Sequence, residues 1–127
     1  MNVEMGDPKV VGIDPDYSGL VIVRAPLTPE PDENWRAIFE NGPPGVSYSI
    51  GRRSPELTYG GIEFRCGETE VAQYRDDALA RIAGTNRYYA EQVEPEILRQ
   101  REEAKRKADE ERIRIDEAQR RLDELGS

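Results

Sequence analysis

The residues best suited to chemistry cluster around a predicted turn in the middle of the chain. The turn, at residues 51–55, reads Gly-Arg-Arg-Ser-Pro, and a guanidinium group binds phosphate or carboxylate oxygens through paired hydrogen bonds. Two tyrosines near it offer rings on which a base can stack, and a further arginine lies on the next predicted strand. The candidate ligand-binding residues are Tyr48, Arg52, Arg53, Tyr59 and Arg65. The alternative is that these arginines are simply solvated.

A second candidate is the loop at residues 14–19, which resembles the start of a calcium-binding loop. Oxygen-bearing side chains occupy its first, third and fifth positions, and Gly19 occupies the sixth. The twelfth position should hold a bidentate carboxylate, but it is Ala25. We therefore expect an ordinary hairpin turn and no metal site.

The remaining composition argues against common catalytic machinery. The chain has no histidine, which excludes Ser-His-Asp and Cys-His nucleophiles and imidazole metal ligands. Its single cysteine, Cys66, falls on the apolar side of a predicted strand, where an inert core thiol is expected. We expect neither an enzyme nor a bound cofactor.

Charge and hydropathy narrow the class of partner. The 127 residues carry a formal charge of −8 with a pI of about 4.7, a field that repels nucleic acid. The longest apolar run is four residues, at 20–23, so no segment suits a membrane span. These features predict a protein of the cytoplasm, or of a larger soluble assembly, that binds neither nucleic acid nor membrane.

The elements that must position the candidate residues follow from periodicity. Strands are predicted at residues 10–13, 20–23, 46–50 and 62–66, each from β-branched runs or alternating apolar residues. The first two should form a hairpin, and the prolines at residues 26–31 should end the second strand. A short helix contains Trp35, Ile38 and Phe39, and a long helix begins near Glu70 with Thr69 as its N-cap.

The resulting fold class is α+β: a small four-stranded, mainly antiparallel sheet in ββαββα order, followed by a long charged C-terminal helix. A domain at residues 1–92 should hold the core, and the charged helix should occupy residues 93–127, where a coiled coil is one option. Within the long helix, Gly84 indicates a close contact, and Asn86 on the apolar stripe indicates a satisfied buried amide or a polar group that sets the register. Trp35 is either a core residue or an exposed interface anchor.

The C-terminal helix has a heptad pattern with an imperfect apolar seam. The candidate interface residues are Trp35, Ile97, Ala104, Ala108, Ile115, Ala118, Leu122 and Leu125. Arg101 and Glu111 also occupy seam positions, and the flanking charged residues are all basic, which disfavours simple self-pairing. Three interpretations stay open: a solvated single helix, a helix docked on another protein, and a self-paired coiled coil.

These patterns predict a non-enzymatic interaction or assembly component that docks through its C-terminal helix to a protein partner, to its own copies, or to both. The alternative, from a different class, is a protein that sequesters an anionic metabolite or nucleotide at the arginine-rich turn.

Overall fold

The protein is an α+β structure in which one antiparallel sheet is covered by helices and followed by a long C-terminal helix. The computed structural model describes residues 1–46 and 53–126. The strands are β1 (Glu4–Met5), β2 (Lys9–Ile13), β3 (Val21–Thr28), β4 (Glu56–Thr58) and β5 (Gly61–Cys66). The helices are α1 (Glu33–Asn41), α2 (Val71–Tyr88) and α3 (Glu94–Leu125), with a 3₁₀ turn at Glu68–Glu70 and a π-helical segment at Tyr89–Val93.

Strand β3 is the centre of the sheet. It pairs with β5 on one side, and on the other side with β2 along one half and β1 along the other half. Strand β4 completes the order beyond β5. The described sheet therefore has five strands, and both β1 and β4 are additions to the sequence-based prediction. The predicted strand at 46–50 cannot be compared, because residues 47–50 lie outside the described part of the chain.

The prediction that the prolines end the second strand at Pro26 is wrong, because β3 continues to Thr28. The Leu27 amide donates to the Gly60 carbonyl on the β5 side, so the nitrogen of Pro26 faces the other side of the strand. On that side the Gly6 amide donates to the Pro26 carbonyl at 2.8 Å, just beyond the end of β1, and β2 does not begin until Lys9. The missing proline N–H therefore falls at the end of the β1 ladder, where only the reciprocal bond of the Gly6–Pro26 pair is not made.

One face of the sheet holds the core. Alternate residues of β3 and β5 are buried on this face, and α1 and α2 supply the opposing aromatic and aliphatic side chains. The core residues are Val3, Val23, Ala25, Leu27, Trp35, Phe39, Ile62, Phe64, Cys66, Tyr74, Ala78, Ile82 and Tyr89. Trp35 is fully buried, which confirms it as a core residue and leaves its ring unavailable as an interface anchor.

Helix α1 is held at one end by its own capping residue and at the other end by a side chain of α2. Asp32 caps its N-terminus by accepting from the Trp35 amide at 2.8 Å. The buried Arg81 of α2 donates to the carbonyls of Phe39 and Glu40, which lie in the last turn of α1. The same guanidinium lies over the Phe39 ring. Arg81 therefore supplies the positive group that the last turn of α1 lacks.

The start of α2 differs from the prediction that Thr69 is the N-cap. Thr69 lies inside the 3₁₀ turn, and the turn is closed by hydrogen bonds between Gly67 and Glu70 on either side of it. The Glu70 amide donates to the Gly67 carbonyl, and the Gly67 amide donates to the Glu70 carboxylate. Farther along α2, a Cβ atom on Gly84 would lie 2.4 Å from Val46 and 3.2 Å from Pro43, which confirms the predicted close contact.

The chain divides into two compact units, Met1–Val93 and Glu94–Ser127. The second unit consists of α3, and none of its described residues is buried. Within it, ion pairs at i, i+3 and i, i+4 join neighbouring turns, for example Glu96 with Arg99 and Arg106 with Glu110. Over the described residues, none of the helices combines the length and the hydropathy needed to cross a bilayer.

Candidate functional site

Two of the predicted ligand residues, Arg53 and Arg65, line the same surface groove. The groove has a volume of about 350 Å³, and its other lining residues are Ser54, Glu56, Glu63 and Phe64. Tyr48 and Arg52 lie outside the described residues. Tyr59 is 97% exposed and lines a different groove, so the structure does not bring it to the two arginines.

Arg65 is already engaged by carboxylates of its own chain. Its guanidinium donates to Asp14 at 2.8 Å and lies 3.6 Å from a carboxylate oxygen of Glu63. Glu63 in turn accepts from Arg24 at 2.8 Å. Three strand residues and one turn residue thus form a chain of alternating charge on the sheet face opposite the core. A bound anion would have to compete with these carboxylates for Arg65.

Asp14 anchors both this chain of charges and the β2–β3 hairpin. It is buried, and its carboxylate accepts from the amides of Asp16 and Tyr17 as well as from Arg65. The hydrogen bond from Arg65, followed by the one from the Asp16 amide, holds the pKa of Asp14 below its ordinary value. The loop is therefore a hairpin turn closed by an aspartate, as the sequence predicts.

Arg53 is the second cation of the groove. Its guanidinium lies 5.0 Å from the centre of the Tyr17 ring, and its backbone amide donates to the Tyr74 hydroxyl at 3.2 Å. The groove therefore combines two arginines with two glutamates, so its lining carries no excess of positive charge.

The other candidate chemical groups are also structural. Cys66 is buried, and that burial raises the pKa of its thiol, so the reactive thiolate is disfavoured. Among residues 1–46 and 53–126, no three His, Cys, Asp or Glu side chains are grouped so that they could hold a metal ion.

Asn86 joins the beginning of the chain to the helices. Its side-chain oxygen accepts from the Val3 amide at 3.0 Å and from the Trp35 indole at 2.8 Å, while its amide nitrogen donates to the Val3 carbonyl at 2.8 Å. The prediction of a satisfied amide is confirmed. The sequence indicates neither Val3 nor the Trp35 indole as its partners, because both lie far from it along the chain.

The predicted interface residues of α3 form an exposed strip. Ile115, Leu122 and Leu125 are 67%, 61% and 84% exposed, whereas Ile97 is half-buried. The three alanines of the seam, Ala104, Ala108 and Ala118, are exposed as well. We call this strip, together with Arg101 and Glu111, the α3 seam.

The α3 seam is flanked on both sides by basic residues. These are Lys105, Lys107, Arg112, Arg114 and Arg121. Of the five, only Arg112 forms an ion pair within the described residues, with Asp109 at 3.8 Å. The acidic residues recur in adjacent pairs every seven residues on the opposite face: Glu102 and Glu103, Asp109 and Glu110, Asp116 and Glu117, Asp123 and Glu124. This spacing keeps the basic flanks of the seam apart from the acidic pairs, and Arg99, Arg106 and Arg120 lie between the two acidic strips on the far face.

No protein-family model matches the chain, and neither the curated proteins nor the solved structures include a significant match to it.

Proposed function

We propose that the protein is a non-enzymatic interaction subunit that docks through the α3 seam to another protein chain. The observation that carries this proposal is the exposure of the seam's large aliphatic side chains, Ile115, Leu122 and Leu125, on a helix without a buried described residue. Burial of an aliphatic side chain contributes about 1.5–3 kcal/mol, so covering three of them supplies a substantial driving force for association.

The charge pattern of α3 supports docking over a purely solvated role. A solvated helix has no need to restrict the charged residues beside an apolar seam to one sign in heptad register, whereas an interface does. The basic flanks favour a surface that brings carboxylates to the edges of the seam. Such a surface can belong to a different protein or to another copy of this chain.

A seam variant of the full chain tests the proposal. We expect I115Q/L122Q/L125Q to abolish concentration-dependent association of the purified protein, and to abolish stoichiometric co-purification of any partner from the producing cells. Sedimentation velocity and quantified co-purification measure these two outcomes. The matched control is I113Q, since Ile113 is also exposed but lies off the seam. A wild-type chain that sediments as a monomer at every concentration and recovers no stoichiometric partner would contradict the proposal.

The alternative function, sequestration of an anionic metabolite or nucleotide, rests on the groove shared by Arg53 and Arg65. It is the weaker proposal, because Asp14 and Glu63 already occupy Arg65 and Tyr59 lies elsewhere.

A further inference from the structure

The α3 seam has a twofold symmetric order of residues about Arg106. Ile97 and Ile115 lie nine residues before and after it, and Ala104 and Ala108 lie two residues before and after it. Between these pairs, Arg101 and Glu111 lie five residues before and after it, and their charges are opposite. From Ile97 to Ile115 the seam therefore matches isoleucine with isoleucine and alanine with alanine, and matches Arg101 with a residue of opposite charge.

The two charged seam residues cannot satisfy each other within one helix. Ten residues of α-helix separate them by about 15 Å along the axis. Across the described part of the chain, neither Arg101 nor Glu111 takes part in an ion pair or a side-chain hydrogen bond. They are therefore unmatched charges in the middle of an otherwise small and apolar strip.

We propose that the α3 seam pairs with the seam of a second copy of this chain, antiparallel, with the twofold axis at Arg106. This inference rests on the proposed docking role of α3. In this register each Arg101 faces Glu111 of the other copy, each Ala104 faces Ala108, and each Ile97 faces Ile115. Twofold symmetry makes every contact twice, so both unmatched charges of both chains find a partner. The paired stretch covers residues 97–115, about 28 Å of helix.

Other self-pairings lack this complementarity. A parallel pair in register would place Arg101 against Arg101 and Glu111 against Glu111, both of which are repulsive. Antiparallel pairs shifted by whole heptads place the two charged residues against alanine, isoleucine, leucine or Glu94, or beyond the end of the other helix, and leave both charges unmatched.

The basic flanks are compatible with the antiparallel register. Close to the axis, the strip that holds Lys105 runs beside the same strip of the other copy, as does the strip that holds Lys107, which taken alone is repulsive. On the strip next to it, Asp109 of the other copy lies two residues, or about 3 Å along the axis, from the level of Lys105. Glu103 of the other copy lies at the same distance from the level of Lys107. Flexible lysine side chains can reach these carboxylates, so the second copy itself brings the acidic groups that the flanks favour.

Charge-reversal substitutions at Arg101 and Glu111, made in the full chain, test the register. We expect R101E alone and E111R alone to weaken self-association by at least about tenfold, because each creates two like-charge layers. An equimolar mixture of the two variants should associate at least as well as the wild type. In the mixed pair the two substituted positions face each other with opposite charges, and the native Glu111 of one chain faces the native Arg101 of the other. The double variant R101E/E111R should also recover self-association. Sedimentation equilibrium measures all four samples.

Two controls and two contrary outcomes complete the experiment. R106E and E110R make the same changes of charge off the seam and should leave self-association unchanged, and circular dichroism should show equal helix content in all variants. The proposed antiparallel pairing would be contradicted by a wild-type chain that stays monomeric, or by single variants that do not associate when mixed. If either result is obtained but a different protein co-purifies with the wild type and not with I115Q/L122Q/L125Q, the self-pairing inference fails and the proposed docking function stands.

Discussion

Single side chains in this protein hold distant parts of the chain together through hydrogen bonds. Asp14 ties its own hairpin to β5 through Arg65, and Asn86 ties the N-terminal segment to α1 through Trp35. Sequence reasoning identifies Asn86 as a satisfied amide because it lies on an apolar stripe, and the structure places it half-buried. It assigns Arg65 to a ligand because nothing along the chain reveals a carboxylate 51 positions away. Local periodicity thus predicts where a polar residue lies but not which group it binds.

Asp14 should make the free energy of unfolding depend on acid pH. Its pKa is lowered in the folded state, so its contribution is fully present above the unfolded pKa of about 3.9 and is lost as the pH falls through the folded value. We expect the stability difference between the wild type and D14N to be largest near neutral pH and to shrink below about pH 4. Urea denaturation across this range measures it.

The control for this prediction is D16N, which changes an exposed aspartate of the same turn. Its stability difference from the wild type should be small at every pH. A D14N difference that is as large in strong acid as at neutral pH would contradict the role assigned to the Asp14 carboxylate.

At the scale of elements, the antiparallel sheet with its hairpin and the long helix are predictable, and the shortest elements are not. Strand β1 has two residues and β4 has three, too few to show an alternating pattern. Strand β3 runs through a proline because the neighbouring strands are interrupted beside it, a circumstance visible only once the pairing is known. The π-helical segment also leaves no signal in the sequence, although it places Tyr89 where its hydroxyl donates to Asp32.

Gly84 should be required by the packing of α2 despite being a poor helix former. Alanine would gain up to about 1 kcal/mol of helix propensity. Its Cβ would however meet the stiff, branched Val46 and the Pro43 ring, and such overpacking costs about 1–3 kcal/mol. We expect G84A to be destabilised or at best unchanged in chemical denaturation. Adding V46A should recover stability, whereas V46A in the wild-type background should not stabilise the protein.

At the scale of the whole molecule, the two units differ in what stabilises them. The Met1–Val93 unit has a core of sheet and helix side chains, whereas the described residues of α3 contribute none to a core. The sequence indicates this contrast through composition, because 20 of the last 36 residues are charged. It cannot indicate what covers α3, since an unpartnered heptad seam suits several occupants.

Amide hydrogen exchange should separate the two units. At concentrations low enough for sedimentation to show a monomer, we expect peptides from α3 to exchange at least about a hundredfold faster than peptides from β3 and β5. The reason is that ion pairs on an exposed helix add only tenths of a kcal/mol each. Raising the protein concentration should slow exchange in residues 97–115 and leave β3 and β5 unchanged. Mass spectrometry resolves both regions. Equal protection of α3 and β5 in the monomer would show that the helix is stabilised by its own chain.

The contact between Val3 and Asn86 also sets an order of events during synthesis. These two residues are 83 positions apart, and the Trp35 indole shares the same amide. During synthesis, the segment that contains Val3 and the helix α1 therefore leave the ribosome well before the Asn86 side chain that joins them. Until Asn86 emerges, the N-terminal segment and α1 cannot complete their native contacts, and the Trp35 indole lacks its hydrogen-bond acceptor.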